Sequence, residues 1–126
     1  MRKNRRNVNR IVIQKMLDYC NDIESYINQV NASCETYSSN GMFGRAVDMC
    51  ILQIGELTTR LTDDFKAQHS EIPWRKIKGL RNLHVHDYES IRFDLMWEIL
   101  TKNIPELKLQ LEKILAAEVE LNDSQI

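Results

Sequence analysis

Six apolar residues, Phe43, Val47, Cys50, Ile54, Leu57 and Leu61, follow one another at steps of four and three. On an α-helix that spacing keeps all six on one stripe, whereas a strand would need alternate positions. The seam therefore predicts a helix over roughly 42–66, packed along its length as an a/d stripe packs. Ala46 and Ile51 widen the stripe. Gly55 costs a helix interior roughly 1 kcal/mol relative to alanine, so a close crossing by a neighbouring helix is expected there. Glu56 stands beside the seam, where it either meets a cation from another helix or remains solvated.

The remaining chain has the same period. Ile13, Met16, Leu17, Cys20, Ile23, Ile27 and Val30 recur at threes and fours and predict a first helix from about Asn9 to Val30. Asn31 to Gly41 reads as a loop, with Ser38 or Ser39 able to cap the helix that follows. Gln68 to Ile72 is a turn, and Pro73 suits the first position of a third helix reaching about Asp87, where Glu89-Ser90 breaks it. A fourth helix carries Leu95, Met96, Ile99 and Leu100. Asn103-Ile104-Pro105 interrupts it, and Pro105 restarts a fifth with Leu107, Leu111, Ile114 and Leu115. No stretch of period two and no internal repeat is found. The expectation is an all-α, up-and-down bundle of four to five helices, the first and second long and antiparallel, forming a single domain over 1–126 with a basic arm at 1–9 and a frayed tail at 120–126.

Bulk properties exclude several classes. A chain of 126 residues can bury a core without disulfides or metal. Its longest apolar runs are too short to span a bilayer, and the basic start lacks the apolar segment of a secretory signal. Cys20, Cys34 and Cys50 are odd in number and widely spaced, as expected of reduced thiols packed as small hydrophobes in a cytoplasmic protein. The net charge of −1 hides five basic residues and no acid among residues 1–10. Such an arm either adds non-specific nucleic-acid affinity or is a solvated terminus.

Chemistry concentrates in Arg81-Asn82-Leu83-His84-Val85-His86-Asp87-Tyr88, preceded by Arg75, Lys76 and Lys78. At 100° per residue, Trp74, Ile77, Val85 and Tyr88 fall on one side, flanked by Leu80 and His84, and form the core face. Arg75, Gly79, Asn82, Leu83 and His86 fall on the other. Gly79 there allows a backbone or ligand to approach closely. An imidazole titrating near neutrality makes His86 a candidate acid or base. Arg81 projects about 140° from His86, so an ideal helix does not aim both at one atom. Either the helix deforms, the arginine reaches round, or residues from a second protomer converge. Arg81 can also be an anchor paired with a carboxylate such as Glu56. His84 and His86 diverge, His69 is distant and no cysteine is near, which argues against a metal site.

Arg81, then four residues, then His86-Asp87-Tyr88 resembles the motif of the HEPN superfamily, and more narrowly that of HepT-like toxins paired with minimal nucleotidyltransferase antitoxins. Ala46-Val47, Ile54-Gly55-Glu56, Ile72-Pro73-Trp74, Leu80-Arg81-Asn82, Trp97-Glu98 and Ile104-Pro105-Glu106-Leu107 extend the likeness over about residues 10–115. The resemblance implies a metal-independent ribonuclease, acting without cofactor as a homodimer whose two Arg81 and two His86 line one cleft. It further implies that Asn82 positions phosphate or imidazole, that Asp87 has no clear catalytic part, and that the nucleotidyltransferase adenylates Tyr88. A core tyrosine at the helix end is equally compatible with the projection. The competing reading is a non-catalytic helical module that presents Tyr88 or bound RNA to the nucleotidyltransferase.

Overall fold

The computed structural model describes residues 2–82 and 93–124, with side chains described over 8–82 and 93–117. Its order is α1 (Arg2–Val30), α2 (Cys34–Ser39), α3 (Gly41–Thr58), α4 (Asp63–Gln68), α5 (Trp74–Gly79), a 3₁₀ turn (Leu80–Asn82), α6 (Phe93–Glu98), a π turn (Ile99–Asn103) and α7 (Ile104–Ser124). No strand occurs among the described residues. The fold is an all-α bundle, as the periodicity requires.

The core lies where the first and third helices meet and where α7 covers them. Ile13, Met16, Leu17, Cys20 and Ile23 of α1 are buried against Val47, Cys50, Ile51 and Ile54 of α3. Leu107, Leu111 and Ile114 of α7 complete the cluster. Every member of the predicted seam, from Phe43 to Leu61, is buried. Ala46 is exposed, so Ile51 alone widens the stripe. Val30, at the end of the α1 stripe, is also exposed.

Four boundaries depart from the sequence reading. The first helix begins at Arg2 rather than near Asn9. The predicted helix over 42–66 is two helices, because hydroxyls take over backbone bonding at its middle. Thr58 Oγ1 donates to the Ile54 carbonyl (3.1 Å) and Thr59 Oγ1 to the Glu56 carbonyl (2.7 Å). Thr62 then caps α4 by accepting from the Phe65 amide at 3.3 Å, which offers that helix start a partner the continuous helix would not need. Buried Asn9 locks the break, accepting from the Thr62 amide and donating to its hydroxyl, both at 3.1 Å. This bond joins the early part of α1 to the far end of α3, so the two helices run antiparallel.

The expected loop at 31–41 holds the short helix α2, whose N-cap is Ser33. Neither Ser38 nor Ser39 caps α3; both donate to the Glu35 carbonyl, and Asn40 accepts from the Phe43 amide instead. The fourth boundary is Pro105. A proline cannot donate to the carbonyl four residues back, and its ring collides with that carbonyl. The chain answers by widening to a π turn, in which the Ile104 amide bonds to the Ile99 carbonyl. The helix is reorganised there rather than broken, and Ile104 and Pro105 open α7 together.

Candidate active site around Arg81

The segment carrying Arg81 is anchored from its first residue. Pro73 occupies the N-cap position, one residue before α5 rather than inside it. The Trp74 indole N–H donates to two carbonyls, those of Lys66 (3.2 Å) and His69 (3.0 Å), and its ring packs near Phe65. A buried indole with its one donor satisfied fixes the rotation of α5 about its axis. Ile77 is buried one turn later, while Arg75, Lys76, Lys78, Gly79 and Asn82 are exposed. The two faces expected from the helical projection are therefore both present over this half of the stretch.

α5 then runs against α3 at Gly55. A Cβ built on Gly55 would lie 2.7 Å from the Arg81 backbone nitrogen, 2.9 Å from the Ile77 carbonyl oxygen and 3.3 Å from the Arg81 Cα. All three neighbours are backbone atoms, so the absent side chain is what permits this crossing. Gly79 is a different case: nothing lies within 4 Å of the Cβ it lacks. It opens onto solvent on the exposed face.

At this crossing the helix tightens. The Leu80 amide bonds to the Ile77 carbonyl, and Leu80–Asn82 form a 3₁₀ turn. Three residues per turn advance roughly 120° per residue instead of 100°. The winding therefore departs from the ideal projection at Arg81. His84, His86, Asp87 and Tyr88 lie outside the described residues, as does the expected break at Glu89-Ser90.

The carboxylate expected to meet a cation does so. Arg81 Nη1 lies 3.9 Å from Glu56 Oε2, with 38% of the arginine side chain and 46% of the glutamate exposed. An ion pair this open contributes about 0–1 kcal/mol, too little to define it as a stability anchor. Among the described residues Glu56 is the guanidinium's one charged partner, and a guanidinium's donor fork is suited to phosphate oxygens. Gly55 and Glu56 are adjacent in sequence, so one turn of α3 supplies both the seat for the Arg81 backbone and the partner for its charge. The sequence reading foresaw a crossing at Gly55 and named Glu56 as a partner for Arg81. That the backbone crossing at Gly55 is Arg81's own has no local sequence signal.

Among the described residues, no three His, Cys, Asp or Glu side chains are grouped to hold a metal ion. His69 is occupied with Glu71 (3.8 Å) and the Phe65 ring. Nor is any helix among them long and apolar enough to cross a membrane.

The bundle thus carries a half-exposed arginine beside a carboxylate at the end of a helix bearing three further basic residues. The chain belongs to the HepT-like ribonuclease family, whose model matches residues 16–114. That range contains Gly55, Glu56 and the whole of Arg81–Tyr88. A protein of Caldanaerobacter subterraneus subsp. tengcongensis, named provisionally as an RNase, is 34% identical over 86 residues, covering 68% of this chain and 77% of the relative. A Methanocaldococcus jannaschii protein named in the same way is 28% identical over 97 residues, 77% of this chain and 87% of its own length. A Thermococcus cleftensis protein, named provisionally as ribonuclease HepT, is 36% identical over 61 residues, 48% of this chain and 56% of the relative. No solved structure matches significantly.

Proposed function

We propose that this protein is a metal-independent endoribonuclease, the toxin of a toxin–antitoxin pair, with its active site shared across a homodimer. The observation that carries the reading is the seating of Arg81 on Gly55 and Glu56 within a chain of the ribonuclease family. A guanidinium held beside its partner but left half open is poised to neutralise charge on a scissile phosphate.

Cleavage proceeds by attack of a ribose 2′-oxygen on the adjacent phosphorus, with departure of the 5′-oxygen of the next nucleotide. One proton must leave the 2′-hydroxyl and one must reach the 5′-oxygen. A single His86 cannot stand at both ends of an in-line displacement, so neutral His86 of one protomer takes the first and protonated His86 of the other delivers the second. Arg81 and its copy steady the phosphorane, and Asn82 positions the phosphate or an imidazole. The product ends in a 2′,3′-cyclic phosphate. A nucleotidyltransferase antitoxin adenylates Tyr88, placing a bulky anion beside the phosphate site and excluding RNA by sterics and repulsion.

The test is cleavage of RNA by purified wild type, Arg81→Ala and His86→Ala, with assembly followed by size-exclusion chromatography. Both variants are expected to lose activity by at least about a hundredfold while keeping the wild-type assembly. Undiminished cleavage by His86→Ala would overturn the catalytic assignment.

A further inference from the structure

Resting on the reading of the active site as one shared by two copies, we infer that the copies meet along an exposed methionine stripe of α3, antiparallel and about a two-fold axis close to Met49. Besides its buried seam, α3 carries a second line at steps of four, three and four: Met42, Ala46, Met49 and Gln53. At 100° per residue these four fall within roughly 60° of one another, on a different side from buried Val47 and Ile54. Met42 is 86% and Met49 56% exposed. Ala46 is exposed too, and Gln53 half-exposed. Two methionines left bare one above the other, on a helix whose core side is complete, are adaptable apolar contacts of the kind used at binding surfaces.

The flanking charges select a second copy of this chain as the occupant. Arg45 and Glu56 stand on the same flank of the stripe, roughly 20° apart in projection. Eleven residues separate them, about 16 Å along the helix axis, so they cannot pair within one chain. Arg45 makes no ion pair among the described residues. A parallel copy would set like charge beside like. An antiparallel copy turned about an axis close to Met49 sets Arg45 of each chain against Glu56 of the other, twice, with the methionines in contact between them.

The stripe also leads to the candidate site. Glu56 is 46% exposed and faces Arg81 Nη1 at 3.9 Å through one carboxylate oxygen, which leaves its other oxygen to accept from the second copy's arginine. The two-fold keeps both copies of Glu56, and so both copies of Arg81, on one flank of the paired helices. A site drawn from two chains requires that arrangement.

Sedimentation equilibrium of the full chain over a range of concentrations reads the assembly, and RNA cleavage is measured on the same samples. Wild type is expected to be a dimer. Met49→Asp sets two carboxylates at the axis and should raise the dimer Kd at least about a hundredfold. Leu109→Asp makes the same kind of change at a comparably bare residue of α7 and should leave the Kd within about twofold. Arg45→Glu and Glu56→Arg should each weaken the dimer about tenfold or more. An equimolar mixture of those two variants should regain it as a heterodimer, because every facing pair in the mixed dimer is again unlike. A Met49→Asp protein as dimeric as wild type, or a mixture no tighter than its components, would overturn the interface. A Met49→Asp monomer that cleaves RNA at the wild-type rate would instead overturn the shared site and leave the interface standing. A wild type that stays monomeric throughout would overturn both and leave the stripe to a different partner.

Discussion

Gly55 and Arg81 meet so closely that one methyl group on the glycine would stand 2.7 Å from the arginine's backbone nitrogen. A contact at that distance between backbone atoms has no flexible end to move aside. It ties the position of a candidate catalytic residue to a helix more than twenty residues earlier in the chain.

Gly55→Ala sets two effects against each other. Alanine gains roughly 1 kcal/mol of helix propensity in α3, while overpacking against fixed backbone costs about 1–3 kcal/mol. Net destabilisation of about 1–2 kcal/mol in urea unfolding is expected, together with reduced cleavage as Arg81 is pushed off its seat. Gly79→Ala meets open space and should hold or raise stability. A more stable Gly55→Ala protein would mean that the crossing yields easily.

Glu56→Gln separates positioning from stability. The open ion pair predicts an unfolding change below about 1 kcal/mol. Cleavage should nevertheless fall through kcat, by less than in Arg81→Ala, because an untethered guanidinium samples more orientations. An effect confined to KM, or none at all, would remove Glu56 from the site.

Asn9→Ala exposes the hinge between α3 and α4. The Thr62 amide loses its acceptor in a partly buried setting, a loss of about 1–3 kcal/mol. Thermal unfolding should register it directly, and Asn9→Asp, which keeps an acceptor, should recover part of the loss. Equal stability of wild type and Asn9→Ala would show that water replaces the bond at no cost.

The thiols give a pH dependence whose sign follows from burial. Burial raises Cys20 from 9.0 to about 12 and Cys50 from 9.0 to about 11, and burial with the Asp48 hydrogen bond raises Tyr37 as well. Above pH 9 the unfolded chain releases thiol protons that the native state keeps. Stability is therefore intact below about pH 9 and declines as pH climbs toward 11–12, by up to about 1.4 kcal/mol per pH unit for each thiol. Native protein should alkylate at half-buried Cys34 first. Urea midpoints that stay constant from pH 8 to 10.5 would contradict the burial argument.

Tyr88 and metal independence have direct tests. Coexpression with a nucleotidyltransferase partner should add adenylate-sized mass increments, absent in Tyr88→Phe. Cleavage should survive a chelator. Increments persisting in Tyr88→Phe would move the modification elsewhere, and chelator-sensitive cleavage would end the metal-free mechanism.

How much of this was legible before any coordinates depended on the range of the interaction. The seam from Phe43 to Leu61 and the two faces of α5 follow from periodicity, because burial selects one side of a helix wherever it packs. The choice of Asn40 over Ser38 or Ser39 as cap, and the break at Thr58-Thr59, depend on single hydrogen bonds that a run of apolar spacing hides. Asn9 is the extreme case: a polar residue on the first helix completes a turn fifty-three positions away. In the candidate site the pairing of Glu56 with Arg81 and a crossing at Gly55 were both readable, yet only the path of α5 makes Arg81's backbone the one that crosses. The imidazole and phenol that complete the proposal lie outside the described residues, so their placement still rests on the motif.

The π turn at Ile99–Asn103 has a consequence for how the chain tolerates change. It leaves α6 and α7 as one continuous rod with a single residue's worth of slack. Deleting one residue there would restore ordinary winding with Leu107, Leu111 and Ile114 still facing the core, because the wide turn already absorbs the extra residue, but it would set Pro105 against a carbonyl four residues back again. Exchanges of side chain in that turn leave the phase of the rod untouched. The extra residue is thus room made for a proline, and the phase of the last helix is kept around it.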